Sequence, residues 1–151
     1  MAQSLAQIYV HFVFSTKQRR PFLADADLRT RMHAYLAGTA AGLDSPALIV
    51  GGARDHVHLL CRFGRTHSVS DTVKELKRES SLWIKREAPQ LKRFHWQDGY
   101  GAISVSPSHV RALETYIRKQ EDHHRHESFQ DEFRRLLDKY GVEYDERYVW
   151  D

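Results

Sequence analysis

Four short stretches of the chain concentrate β-branched and aromatic residues, and the segments between them repeat apolar residues at helical spacing. Gln7 to Ser15 (QIYVHFVFS) is a strand by propensity. Ala47 to Ala53 is a second strand, ending in Gly51-Gly52, and Asp55 to Phe63 is a third. The few residues between these two predict a hairpin, hence an antiparallel pair. Tyr100 to Ser106 is a fourth strand. Asp25 is placed to cap a helix running to about Leu43, on which Leu28, Met32, Tyr35 and Leu36 recur at helical spacing. Ser68 to about Ala88 is a second helix with an apolar stripe of Val69, Val73, Leu76, Trp83 and Ile84, ended by Pro89. Ser106-Pro107 opens a third, a cap residue followed by proline, which carries Val110, Leu113 and Ile117 and is expected to continue to about His124. Ser128 to Tyr140 is a last helix closed by Gly141, and Val142 to Asp151 is an aromatic-acidic tail. The order β-α-β-β-α-β-α plus a C-terminal helix predicts an α+β fold. Its first six elements follow the ferredoxin-like (RRM-like) split plan with an antiparallel sheet. One domain is expected over residues 1–151, with a core at about 5–126 and an accessory helix and tail at about 127–151.

The formal net charge of +3 conceals an asymmetry. Residues 1–120 carry 18 Lys and Arg against 10 Asp and Glu, a net of +8, whereas residues 121–151 carry 5 against 10, a net of −5. A basic body points to a polyanion such as nucleic acid, although solvated charge on ordinary helix faces would give the same count. The single cysteine, Cys61, excludes an intramolecular disulfide and reads as a small buried hydrophobe. The chain has neither a run of about 18 apolar residues nor a signal layout at its start, so a cytoplasmic protein is expected.

Chemistry enters with Asp55-His56-Val57-His58-Leu59-Leu60. Side chains alternate across a strand, so His56 and His58 share a face, with Cα atoms about 6–7 Å apart. Two imidazoles so placed are half of a divalent-metal site. Downstream, Tyr116 and Gln120 lie one helical turn apart, and His124 extends the same stripe. An amide oxygen there is placed to complete a metal site, and a phenol to attack phosphorus. Candidate DNA contacts are Lys17, Arg19 and Arg20; Lys74, Lys77, Arg78 and Lys85 on the second helix; and Lys92 and Arg93, beside which Phe94, His95 and Trp96 are candidates for base stacking, Trp96 reading equally well as a loop anchor in the core. Taken alone, the histidine pair is more simply structural. Tyr116 alone is an ordinary packing residue.

The chain resembles the HUH single-tyrosine transposases of small bacterial insertion sequences and their REP-associated relatives. The resemblance runs through Phe14-Ser15-Thr16-Lys17, the His56/His58 segment, the helix from Val73 to Trp83, Trp96-Gln97-Asp98-Gly99-Tyr100-Gly101, and Tyr116-Ile117-Arg118-Lys119-Gln120. It implies Tyr116 as a nucleophile forming a 5′-phosphotyrosine with single-stranded DNA. It also implies His56, His58 and Gln120 as ligands of Mg²⁺ or Mn²⁺. Arg118, Lys119 or the metal would assist ionisation of the phenol, with His124 as an auxiliary group. Hairpin-ended DNA as substrate, and a homodimer whose histidines work with the partner's tyrosine, are further implications. The added tail leaves open a domesticated REP-associated nuclease instead of a mobile-element enzyme. A non-catalytic RRM-like module is the rival class, but RRM sheets present aromatic platforms where this chain has histidines.

Overall fold

The structure is a computed structural model and describes residues 2–151. Its elements are β1 (Tyr9–Ser15), α1 (Ala26–Gly42), β2 (Ala47–Ala53), β3 (His56–Arg62), α2 (Val69–Glu87), β4 (Gly101–Val105), α3 (Val110–Arg118), α4 (Gln120–His123) and α5 (Phe129–Lys139). The strands form one antiparallel sheet in the order β2-β3-β1-β4. The fold is α+β on the expected plan.

Strand alternation divides the sheet into two chemically different faces. Val10, Phe12 and Phe14 of β1 and Val57, Leu59 and Cys61 of β3 face α1 and α2. There they join Leu28, Met32, Leu36, Val73, Leu76, Trp83 and Ile84 in the main core. Both helices begin with the predicted caps: Asp25 accepts from the Leu28 amide and Ser68 from the Asp71 amide. His11, Val13 and Ser15 of β1 and His56 and His58 of β3 therefore point to the opposite face, where Val13 pairs with His58 and Ser15 with His56.

That second face is covered by the C-terminal helices. Gly51, paired with His58, lets α3 settle directly on β2: a Cβ there would lie 2.6 Å from the Ile117 carbonyl oxygen. Gly101 does the same for α5, since its Cβ would meet the Phe133 ring at 2.7 Å. Phe129, Phe133 and Leu137 of α5 pack on Val13, joined by Tyr144, Val149 and Trp150 from the tail. One expectation needs correction. The helix from Ser106 to His124 is not continuous. It starts with a 3-10 turn at Pro107–His109, and it breaks at Lys119 (φ −96°, ψ 19°), after which the single-turn α4 begins. The break accompanies burial of the Gln120 amide, whose polar atoms find partners in β3 and α5.

Candidate active site

His56 and His58 are fully buried between the sheet and the C-terminal helices. Each is oriented through its Nδ1 atom. His56 Nδ1–H donates to Asp55 Oδ1 at 2.8 Å, and His58 Nδ1 shares a 2.8 Å hydrogen bond with His11 Nε2. Both Nε2 atoms are thereby aimed at the same point. A carboxylate or acceptor behind a metal-directed histidine fixes its ring and tautomer in this way.

The group at that point was not anticipated. Glu132 of α5 is buried, and its two oxygens gather the site. Oε1 lies 3.0 Å from His58 Nε2, 3.4 Å from His56 Nε2 and 3.1 Å from His124 Nε2, the last off the line of a hydrogen bond. Oε2 accepts from the Gln120 amide at 2.8 Å and from the Tyr116 hydroxyl. Gln120 Oε1 in turn accepts from His56 Nε2–H at 2.9 Å. The Tyr116 hydroxyl also accepts a 2.9 Å hydrogen bond from Arg135 Nη2, and Arg135 is held by Glu127. The candidate residues His56, His58, Tyr116, Gln120 and His124 thus converge within one chain, around a carboxylate that sequence reasoning missed. A signal for it existed. Phe129, Glu132, Phe133, Leu136 and Leu137 form the buried stripe of α5, so an acid stands at an inward position of an amphipathic helix.

The electrostatics follow from this crowding. Burial alone would raise the Glu132 carboxyl, but His58, His124 and His56 hold it far below the usual carboxylate range. Burial works against charge on His56, yet Asp55 and Glu132 raise it to about 9. His58 is lowered, chiefly by burial. The Tyr116 phenol is pushed well up by burial and by the Glu132 charge, with Arg135 acting in the opposite sense.

His56, His58 and Glu132 place ligand atoms within 4.8 Å of one another, and this buried group can bind a metal ion. Two imidazole nitrogens with carboxylate and amide oxygens form a mixed donor set that suits Mn²⁺ better than Mg²⁺, which prefers oxygen.

The predicted DNA contacts divide. Lys17, Arg20, Lys74, Lys92 and Arg93 are exposed, while Arg19 and Lys85 are half-buried. Arg78 is paired with Glu75 and Glu79. Lys77 is pulled down to about 8 by burial, and its ammonium donates to the carbonyls of Gln97, Asp98 and Gly99, so it braces that loop. Two expectations are corrected. Trp96 is not a stacking platform: its indole is buried with Phe94 in the main core, and its N–H donates to Ser80 Oγ at 2.9 Å. The cation on the Tyr116 hydroxyl is Arg135, not Arg118 or Lys119, which are exposed.

A family profile described as IS200-like transposase matches residues 4–120. The chain belongs to the IS200-like transposase family. It is accordingly a transposase, a DNA-binding enzyme of DNA transposition. One solved relative, from Deinococcus radiodurans R1 and provisionally described as a transposase, is 26% identical with a TM-score of 0.65, over 80% of this chain and 95% of that one. Another, a REP-associated tyrosine transposase bound to a REP hairpin, is 15% identical with a TM-score of 0.58, over 82% of this chain and 74% of that one. At that identity the likeness concerns the fold alone. A comparison with the curated proteins found no match. The family match ends at Gln120, so Glu132 and Arg135 belong to a segment that this IS200-like transposase carries beyond it.

Proposed function

We propose that this protein cuts and rejoins single-stranded DNA at hairpin-bearing ends, with Tyr116 as the nucleophile. The observation that carries the reading is the shared carboxylate: Glu132 touches the Tyr116 hydroxyl through one oxygen and the imidazoles of the metal-site candidates through the other. A phenol and a two-histidine cation site so joined suit transesterification at phosphorus. The Tyr116 oxygen forms a bond to the scissile phosphorus as the bond to the 3′ oxygen breaks. The products are a 5′-phosphotyrosine and a free 3′-hydroxyl. A second 3′-hydroxyl reverses these bond changes on another strand, so the energy of the first bond is retained and no nucleotide cofactor is consumed.

His56, His58, Gln120 and Glu132 would hold the ion, Mn²⁺ or Mg²⁺. When bound, the ion supplies positive charge that polarises the phosphate and stabilises the departing oxygen. Asp55 and His11 keep the two imidazoles facing it. Arg135 stabilises negative charge on the Tyr116 oxygen and holds the ring beside His58, the ring centroids being 6.2 Å apart. The DNA partner is inferred from the REP hairpin bound by the structural relative and from the basic body of the chain. The geometry supports a site completed within one chain; a homodimer would carry two such sites. The sheet offers buried histidines in place of exposed aromatics, which disfavours an RRM-like binding role.

Covalent capture tests the proposal. A labelled hairpin oligonucleotide with single-stranded flanks is expected to give a protease-sensitive adduct with the native protein. Tyr116→Phe should abolish the adduct and leave binding intact. An undiminished adduct in that variant overturns the assignment.

A further inference from the structure

A second concentration of chemistry lies beyond the end of β1, apart from the metal-site candidates and Tyr116. The loop after β1 is joined to the loop before β4: Thr16 bridges Trp96, and the Lys17 amide donates to the His95 carbonyl at 2.9 Å. Thr16 Oγ1 closes the turn on the Arg20 carbonyl at 2.7 Å. Between the loops is a cavity of about 360 Å³ lined by Lys17, Gln18, Arg20, Phe22, Arg93 and His95. Two basic segments more than 70 residues apart in the chain thus form one concave surface.

Three observations mark it as a binding site. The first is uncompensated charge. No acid lines the cavity, and among the described residues Lys17, Arg20 and Arg93 form no ion pair. Some arginines elsewhere are paired, Arg31 with Asp27 and Glu87 and Arg134 with Asp131 and Glu146, and others such as Arg62, Arg65 and Arg111 have no partner acid among the described residues; the cavity differs in gathering three unpaired cations on one concave surface. Like charges gathered without a counter-charge cost free energy that a bound polyanion offsets. The second is backbone strain. Gln18 and Arg19 both adopt left-handed φ values, 55° and 54°, unfavourable for residues with a Cβ and typical of segments shaped for a ligand. The third is an aromatic wall. Phe22 is half-buried, set edge-to-face on Phe94 at 5.3 Å, and forms part of the cavity wall. Arg19 is drawn to the tail, its guanidinium 5.9 Å from the Trp150 ring, and is not counted in the site.

Cations combined with a half-buried ring on the cavity wall suit an unpaired nucleotide: phosphates against the charges, one base face against the aromatic. A paired base in a duplex has no free face to offer. The location fits too. Ser15, the last residue of β1, pairs with His56, and Lys17 follows two residues later. An extended chain covers about 7 Å in two residues, so the basic loop begins beside the end of β1 that pairs with His56.

We propose that this cavity is a second DNA subsite that holds an unpaired nucleotide of the substrate strand, with Lys17, Arg20 and Arg93 on the phosphates and Phe22 on the base. The proposal rests on the reading of the protein as a single-strand DNA transferase. The test is the salt dependence of binding to fluorescent oligo-dT and to a duplex of equal length, for the native protein, for the Lys17→Ala/Arg20→Ala/Arg93→Ala triple variant and for Phe22→Leu. A charge-matched control combines Arg62→Ala, Arg65→Ala and Arg111→Ala, three exposed arginines outside the cavity. Each lost single-strand phosphate contact should flatten the log–log salt slope by about 0.7, so the cavity triple should lose about 2. It should bind oligo-dT at least tenfold more weakly than the control does. Phe22→Leu, at unchanged melting temperature, should weaken oligo-dT binding without affecting the duplex. Equal losses for the two triples, an unchanged slope in the cavity triple, or equal effects of Phe22→Leu on both DNAs would overturn the subsite. Tyr116 capture reads the underlying function separately. A normal adduct with no cavity effect refutes the subsite alone, whereas cavity-dependent binding with no adduct refutes the strand transfer.

Discussion

At Glu132 five neighbours share two oxygens: Tyr116 and Gln120 on one, His58, His56 and His124 on the other. Such crowding is stable in a buried place only while the acid keeps its charge, because the histidines would otherwise face one another with nothing between them. If Glu132 is a ligand, Glu132→Gln removes that charge and keeps the shape. Mn²⁺ affinity measured by titration calorimetry is then expected to fall about tenfold or more, and unchanged affinity would leave the ion to His56, His58 and Gln120. A pH dependence follows for the protein kept in chelator. The groups facing His56 are Asp55, Glu132, Gln120, His58 and His124. Its folded pKa of about 9 exceeds the ordinary 6.5, so the proton is bound more tightly in the folded state. The associated stabilisation is complete below about pH 6.5 and is lost as pH rises through 9. Its size is on the order of 3 kcal/mol. Melting temperatures measured from pH 6.5 to 9.5 should therefore decline, and His56→Gln should flatten that decline. A native protein with no loss over this range would show that His56 is uncharged.

Among the elements, α3 carries Tyr116 and is placed by Gly51. A Cβ at position 51 would meet the Ile117 carbonyl oxygen at 2.6 Å, and a helix backbone cannot yield as a side chain does. Gly51→Ala should cost roughly 1–3 kcal/mol of stability, read by denaturant unfolding. It should also slow single-turnover adduct formation by up to about a hundredfold, because a displacement near 1 Å is enough to misplace a nucleophile. Normal adduct formation at reduced stability would show that Tyr116 is held from elsewhere. The strands and the caps at Asp25 and Ser68 were legible in the sequence because they depend on local periodicity and on hydrogen bonds three residues apart. So was the histidine pair, since alternation alone puts His56 and His58 on one face. The break at Lys119 was not, because Gln120 leaves the helical path to reach partners on β3 and α5. For the same reason the sequence leaves Trp96 open between a stacking platform and a core anchor, and its contact with Ser80 decides for the core. Arg135 reads as a surface cation on α5 unless the position of Tyr116 is known.

At the scale of the whole molecule, the acidic C-terminal segment completes what the basic body begins. The family match stops at Gln120, yet Glu132 and Arg135 lie beyond it, and the aromatic tail packs beside α5 on the sheet face that bears the histidines. Gln97 ties the tail down by donating to the Val149 carbonyl at 2.7 Å. The segment therefore joins Tyr116 to the histidines of its own chain, through hydrogen bonds that an exchange of α3 between two copies would have to break. This bears on the composite homodimer that the resemblance implied. In a composite site, a subunit lacking its histidines and one lacking its tyrosine complement each other, since one of the two sites in the mixed dimer is whole. In a site closed within the chain, every site in the mixture lacks one essential group. Mixing His56→Ala with Tyr116→Phe is thus expected to give no covalent adduct, with mixed pairs verified by two affinity tags on any dimer present. Adduct recovery approaching a quarter of the native level, on the order of the statistical share of intact composite sites, would show that α3 is exchanged between copies and that the Glu132 linkage opens during assembly.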